Sequence, residues 1–227
     1  MNGPPLHLWG VEGALEPLEG GHRNQVLRLR RTQGDLVFKS TRRSAKALAW
    51  LKGVFAQLPP ALCAPLLKPS LSGRLIEQGW TCEPFVEGIP VSAYDAGAIQ
   101  LPVLDAPQRP GFCSAFALCQ NDTSGDIDLS LMPAELVHAC RNAWAILADM
   151  PVAVVHGDLT ASNLIRCTDG RICLLDWDEA RVDALVFDLP PTRLTPEQRR
   201  ARLGFEVATC WQIEPARATE LAKSLLQ

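Results

Sequence analysis

Between residues 152 and 178 the chain sets short apolar runs against isolated polar residues in an order that few folds can use. Val152-Ala-Val-Val155 is a four-residue apolar run. Its length suits a buried strand better than a helix, and it ends at His156-Gly157-Asp158. Residues 164–167 and 171–175 read as two more strands, joined by Thr168-Asp-Gly170, a sequence suited to a tight hairpin turn. Asn163 stands just before this hairpin and Asp176 just after it. A hairpin returns the chain to its starting point, so it delivers an amide and a carboxylate to one place. A second carboxylate, Asp158, waits on the preceding loop.

These residue types suit phosphoryl transfer from ATP. That reaction needs a base or orienter for the attacking hydroxyl, oxygen ligands for Mg²⁺, a cation on the phosphates and a cover over them. Mg²⁺ is a hard ion that prefers carboxylate and amide oxygens, which Asp176 and Asn163 supply. An aspartate nearby but not bound to the metal, Asp158, is placed to take a hydroxyl proton.

The N-terminal half has a different texture. Residues 25–31 alternate, with Leu27 and Leu29 on one face and Arg28 and Arg30 on the other, the pattern of a half-buried strand. Residues 32–35 form a turn and 36–39 the return strand. Residues 43–58 take helical spacing, with Ala47, Leu48, Leu51, Val54, Phe55 and Leu58 as the apolar stripe, and Pro59-Pro60 stops the helix. Residues 66–87 are expected to add two strands that turn at Ser72-Gly73. Residues 1–87 therefore read as a five-strand, one-helix lobe. Residues 88–227 read as a second, mainly helical lobe. In it, residues 88–131 are irregular and a helix starts near Pro133 and runs to about Asp149. Leu136, Cys140, Ala143, Trp144 and Leu147 form the apolar face of that helix. From Thr195 two helices follow, interrupted near Pro215. The fold class expected is α+β with two lobes.

Gly20-Gly21 and Asn24 fall between two expected strands. Glycine there lets backbone N–H groups approach a phosphate, although Gly-Gly between strands is also an ordinary hairpin. Lys39 ends the return strand, a position equally suited to a solvated edge. Residues 28–52 hold eight basic residues against one acid, Asp35, which would raise local nucleotide concentration or simply face water.

Composition excludes several classes. The net charge of −3 argues against a general binder of nucleic acid or of anionic membranes. The start of the chain lacks the basic and apolar regions of a signal peptide, and no apolar run is long enough to span a bilayer. A cytoplasmic location is expected. None of the eight cysteines is in C-x-x-C spacing, so reduced, mostly buried thiols are expected rather than zinc or a disulfide framework.

The segment His156-Gly-Asp-Leu-Thr-Ala-Ser-Asn163, then Leu174-Leu-Asp-Trp-Asp178, then Phe187-Asp-Leu189 resembles the aminoglycoside phosphotransferase and choline kinase family. That resemblance implies the protein-kinase-like fold, ATP and Mg²⁺ as cofactors, and a small-molecule hydroxyl as acceptor. It implies Asp158 as catalytic base and Asn163 and Asp176 as Mg²⁺ ligands. Gly20, Gly21, Asn24 and Lys39 would hold the nucleotide. His156 and Asp188 would support the loop, and Asp178 is left open between a second metal ligand and a cap. In that fold the strand lysine pairs with a glutamate on the next helix, but here no Asp or Glu occurs between Asp35 and Glu77. Fifty-one residues follow Asp176, which implies a reduced substrate-binding region. The acceptor cannot be read. Asp122, Asp126 and Asp128 would attract a cation or merely be solvated.

Rival readings remain. A pseudokinase, binding nucleotide as a regulatory module, is favoured by the acid-free helix and opposed by the intact Asp158, Asn163 and Asp176. A dehalogenase-type phosphatase would use Asp176 in the Asp-Trp-Asp motif as nucleophile, but that motif normally opens its domain. A purely structural protein leaves the ordered Asp-Asn-Asp set unexplained.

Overall fold

A computed structural model describes residues 3–18 and 23–227. Among the described residues the chain order is β1 (Leu15–Pro17), β2 (Val26–Leu29), β3 (Leu36–Ser40), α1 (Ala45–Phe55), β4 (Leu62–Cys63), β5 (Trp80–Pro84) and β6 (Gly88–Pro90). There follow α2 (Ala93–Ala96), β7 (Thr123–Ser124), β8 (Ile127–Asp128), α3 (Ala134–Trp144), β9 (Val152–Val155), β10 (Leu164–Cys167) and β11 (Ile172–Leu174). The chain closes with β12 (Arg181–Ala184), α4 (Pro196–Cys210) and α5 (Pro215–Leu226). This is the α+β class that the sequence leads one to expect. None of the described helices is long and apolar enough to cross a membrane.

The chain divides into two compact units. The first contains Met1–Val91 and Ala161–Leu175, the second Ser92–Thr160 and Asp176–Gln227. In the first unit β1, β2, β3 and β5 form an antiparallel sheet in that order. Leu29, Phe38, Trp80 and Cys82 from its strands, with Trp9, make its core. Trp9 meets Phe38 edge-on at 5.4 Å, the geometry that aromatic quadrupoles favour. Helix α1 buries Ala47, Leu48, Leu51 and Val54, four of the six stripe residues. It starts at Ser44, whose hydroxyl accepts the Ala47 N–H at 3.1 Å, a cap that contributes about 1 kcal/mol.

The hairpin of β10 and β11 also lies in this first unit. β11 pairs in parallel with β4 and β10 pairs antiparallel with β6, giving the order β4-β11-β10-β6. The register of β10 and β11, Leu164 to Leu174 and Arg166 to Ile172, is that of the hairpin expected from Thr168-Asp-Gly170.

One N-terminal expectation is corrected. Residues 66–87 supply the single strand β5, and the reversal into it falls at Gln78-Gly79, where Glu77 and Trp80 exchange both backbone hydrogen bonds at 2.9 Å. Ser72-Gly73 is a turn, closed by Gly73 N–H to Ser70 O at 2.9 Å, but no strand flanks it. The backbone of Ser70 is the physical reason. Its N–H, the next to face β5 after that of Lys68, donates to Arg74 O at 2.8 Å, so the bond from Lys68 N–H to Cys82 O is not followed by another. Residues 1–87 still hold five described strands, but only four share this sheet, because β4 pairs with β11 instead.

The second unit is built on α3, α4 and α5. Helix α3 buries Leu136, Cys140, Ala143 and Trp144, and Leu147 in the turn after it is buried too. That is the face read from the sequence. The α-helix is shorter than expected, passing into a 3₁₀ turn at Ala145–Leu147, and Pro133 stands one position before its first residue. Gly204 allows α4 to approach α3. Cys140 Sγ donates to Gly204 O at 3.4 Å and Trp144 Nε1 to Ala201 O at 3.1 Å. The two-stranded ladder β9–β12 runs antiparallel, with Val155 opposite Arg181.

Candidate active site

Strand β9 carries three buried residues, Ala153, Val154 and Val155, up to His156. Its pairing with β12 fixes where the chain leaves the ladder, and the loop that follows is held by its own backbone. The His156 N–H donates to Asp188 Oδ2 at 2.7 Å and the Gly157 N–H to Asp188 Oδ1 at 2.9 Å. His156 is fully buried and its Nδ1 accepts the Asp158 N–H at 3.3 Å. The ring lies 4.7 Å from that of Trp177. These bonds are those of a scaffold: His156 and Asp188 fix the peptide on which Asp158 stands. Burial pushes the Asp188 carboxyl above its usual value, while His156 and the two N–H donors act the other way.

Asp176 follows β11 with φ 57° and ψ 64°, a left-handed backbone that only one other described non-glycine residue, Gln78, shares. An L-residue with a side chain avoids this region, at a cost of about 1–3 kcal/mol. Residues Trp177–Glu179 then form a 3₁₀ turn. This turn and the Asp158 loop are packed together within the second unit. A Cβ on Gly157, whose φ is +84°, would sit 2.8 Å from Glu179 O and 3.0 Å from Arg181 Nη1. The glycine of His-Gly-Asp is therefore required both by its dihedral angle and by the close approach of the turn.

Asn163 ends the 3₁₀ turn Ala161–Asn163, and its carbonyl accepts the Leu175 N–H at 2.8 Å across the mouth of the hairpin. Asp176 is the next residue along the chain. Thus Asn163 opens the hairpin and Asp176 directly follows its close, as expected from the spacing. Lys39 lies on β3, opposite Thr81, whose hydroxyl donates to Lys39 O at 3.1 Å. Asn24 lies just before β2. Gly20 and Gly21 lie outside the described residues. Asn163 and Lys39 belong to the first unit, Asp158 and Asp176 to the second.

Several charges singled out in the sequence have structural partners. Arg28 pairs with Asp35 at 2.5 Å and Arg30 with Glu16 at 2.9 Å, so part of the basic run is spent within the sheet. Asp122 pairs with Arg141 at 2.7 Å. Asp128 Oδ1 accepts from the Ser130 hydroxyl at 2.6 Å and its N–H at 3.0 Å. Asp122 thus ties its loop to α3, and Asp128 holds the turn that follows it.

Sequence reasoning missed Arg109, Arg181 and Asp183. All three are buried, and Arg181 Nε donates to Asp183 Oδ2 at 2.7 Å. Nothing in the pattern around Arg109 marks it as buried. For Arg181 the nearby Asp183, two residues along a strand and so on the same face, was the available signal.

The fold is of the protein-kinase-like class. Residues 120–221 match the model of the phosphotransferase enzyme family, APH. The choline kinase LicA from Streptococcus pneumoniae has a similar structure, with a TM-score of 0.58 and 14% identity over 95% of this chain and 94% of that one. A thermostable mutant of aminoglycoside phosphotransferase APH(4)-Ia, in ternary complex with AMP-PNP and hygromycin B, gives a TM-score of 0.60 at 12% identity, covering 97% of this chain and 95% of that one. Spectinomycin phosphotransferase APH(9)-Ia, in complex with ADP and spectinomycin, gives 0.52 at 10% identity, covering 94% and 89%. No curated protein matches the chain. The resemblance to the aminoglycoside phosphotransferase and choline kinase family is thus borne out, by sequence over residues 120–221 and by fold over nearly the whole chain.

Proposed function

We propose that this protein transfers the γ-phosphoryl group of ATP to a hydroxyl of a small molecule, with Mg²⁺. The observation that carries the reading is Asp176, held in a left-handed backbone on a turn that packs against the Asp158 loop. Strain of this kind persists only where the surroundings impose it.

In this reading Asp158 accepts the proton of the acceptor hydroxyl. Its loop is held because Asp188 and His156 accept the three successive N–H groups of residues 156–158. Asn163 and Asp176 hold the metal ion, and their amide and carboxylate oxygens have the chemistry it prefers. No group of three His, Cys, Asp or Glu residues among the described ones has metal-holding geometry. Two protein ligands suit Mg²⁺, which usually keeps water and phosphate oxygens in its shell. When bound, the ion neutralises charge on the β- and γ-phosphate oxygens. Lys39, Asn24, Gly20 and Gly21 are assigned to the phosphates, with residues 1–87 as the nucleotide-binding lobe and 88–227 as the catalytic and acceptor lobe. The reaction is placed in the cytoplasm, where ATP and Mg²⁺ are at hand. Phosphotransferases of similar fold take acceptors named as choline or aminoglycosides, which sets the range to screen.

The test is ATP turnover against sugars, amino alcohols and aminoglycosides, with Asp158→Asn as control. Turnover with one acceptor class, reduced about a thousandfold or more in the variant, is the expected result. A specific observation favours a second reading: α1 contains no acid to pair with Lys39. If ATP binds tightly and no acceptor is phosphorylated, the protein is a nucleotide-binding pseudokinase.

A further inference from the structure

We propose that Arg109 and Arg181 form a buried guanidinium clamp that positions the turn following Asp176 and thereby sets the protein's affinity for Mg²⁺. The inference rests on the reading of Asp176 as a metal ligand.

Four consecutive backbone carbonyls leave this turn, and each is taken by one of the two arginines. Arg109 Nη1 donates to Trp177 O at 3.0 Å, Asp178 O at 3.0 Å and Ala180 O at 2.9 Å. Arg181 Nη1 donates to Glu179 O at 3.0 Å. A surface turn would give these oxygens to water. Here Arg109 is 1% and Arg181 0% exposed, and such burial is costly for a cation unless its N–H groups find acceptors. The turn supplies them to the Nη1 atom of each arginine, while the Nη2 atoms are buried without a hydrogen-bond acceptor among the described residues, so the guanidinium groups are held at the turn through Nη1.

The clamp is itself anchored. The Arg109 guanidinium lies 4.5 Å from the Phe112 ring centre, and Arg181 lies 3.7 Å from Phe205 and 4.5 Å from Phe187. Asp183 accepts Arg181 Nε through Oδ2, which also accepts the Ala115 N–H at 3.0 Å, while its Oδ1 accepts the Ala184 N–H at 2.8 Å. Arg181 Nη1 is the same atom that crowds the Gly157 position. One cation therefore touches both the turn after Asp176 and the loop before Asp158.

The consequence for Asp176 is conformational. A left-handed backbone is uncommon for any non-glycine residue, though aspartate tolerates it better than most, and the turn after Asp176 helps to hold it. Arg109 makes all three bonds through Nη1, on a guanidinium stacked over Phe112, a stacked placement that the ammonium of lysine does not reproduce. These arginines act as positioning residues through Asp176.

The test uses the full chain with Arg109→Lys and Arg109→Gln. Mg²⁺ is titrated against a non-hydrolysable ATP analogue, and amide hydrogen exchange over residues 176–180 is measured in nucleotide-free protein. We expect exchange at these amides to rise at least tenfold and the Mg²⁺ half-saturation point to rise at least tenfold. Metal-free nucleotide binding should stay within twofold. A role in stability alone would lower the melting temperature and leave the Mg²⁺ titration unchanged, and that result overturns the inference. If either variant fails to fold, Phe112→Leu, which loosens Arg109 without removing it, replaces it. If the unmodified protein binds nucleotide without any dependence on Mg²⁺, the proposed function fails instead. The exchange measurement then decides the clamp, and unchanged exchange overturns it.

Discussion

The carboxylate of Asp188 receives the backbone N–H of His156 at 2.7 Å from a point thirty-two residues further along the chain. Its other oxygen receives the next N–H, that of Gly157. Two consecutive peptide groups are thus fixed by one side chain, and the residue after them is Asp158. The loop needs no regular secondary structure to be rigid. It hangs between the end of β9 and this carboxylate.

Asp188→Ala leaves two N–H groups without their acceptor. The cost expected is about 2–4 kcal/mol, a fall in melting temperature of roughly 5–15 °C for a chain of this size. Thermal denaturation measures it. A change of less than about 2 °C would mean that water satisfies both groups and that the anchor is dispensable.

Asp176→Gly separates strain from function. Glycine adopts the left-handed backbone freely, so the melting temperature should stay or rise by the equivalent of about 1 kcal/mol. Mg²⁺-dependent nucleotide binding should be lost. Retention of that binding would remove Asp176 from the metal site, whatever happens to stability.

Gln78 is the other strained residue, with φ 51° in the turn between Glu77 and Trp80. Gln78→Gly should stabilise the protein by about 1 kcal/mol. The melting temperature should rise by about 2–4 °C with no effect on nucleotide binding. A decrease would show that the Gln78 side chain contributes more than its backbone costs.

Glu77 predicts an acid limb in stability. Ser72 and Ser70 each donate a hydroxyl to Glu77 Oε1 at 2.7 Å, and these bonds hold its carboxyl below the usual value. Asp35 is shifted the same way by the Arg31 N–H first and by Arg28 next. A carboxyl lowered in the folded state contributes stability that is complete above its unfolded pKa and lost as pH falls through the folded one. Melting temperature should therefore drop below the ordinary carboxylate range, and Glu77→Gln should show a shallower drop. Equal slopes for the two proteins between neutral and strongly acid pH would contradict this.

Much of the fold was legible from local signals. The stripe of α1, the buried face of α3, the apolar run of β9 and the β10–β11 hairpin each follow from periodicity or turn chemistry within about a dozen residues. The order Asp158, Asn163, Asp176 belongs to the same class, since the hairpin between the last two determines their spacing along the chain. The strand expected between residue 66 and the Ser72-Gly73 turn failed because the Ser70 N–H, the next to face β5 after that of Lys68, is taken by Arg74 O at 2.8 Å.

What the sequence determined by itself, then, was the short elements and the order of Asp158, Asn163 and Asp176 at their ends. Tertiary structure alone decided what holds those residues in place. Asp188 reaches back thirty-two residues to His156, and Arg109 reaches forward sixty-eight to Trp177. In sequence an arginine that binds three buried carbonyls looks the same as one that faces water. Its partners are backbone atoms, which every residue has, and their distance along the chain leaves no periodic trace. Only closure of the chain shows which arginine is surrounded.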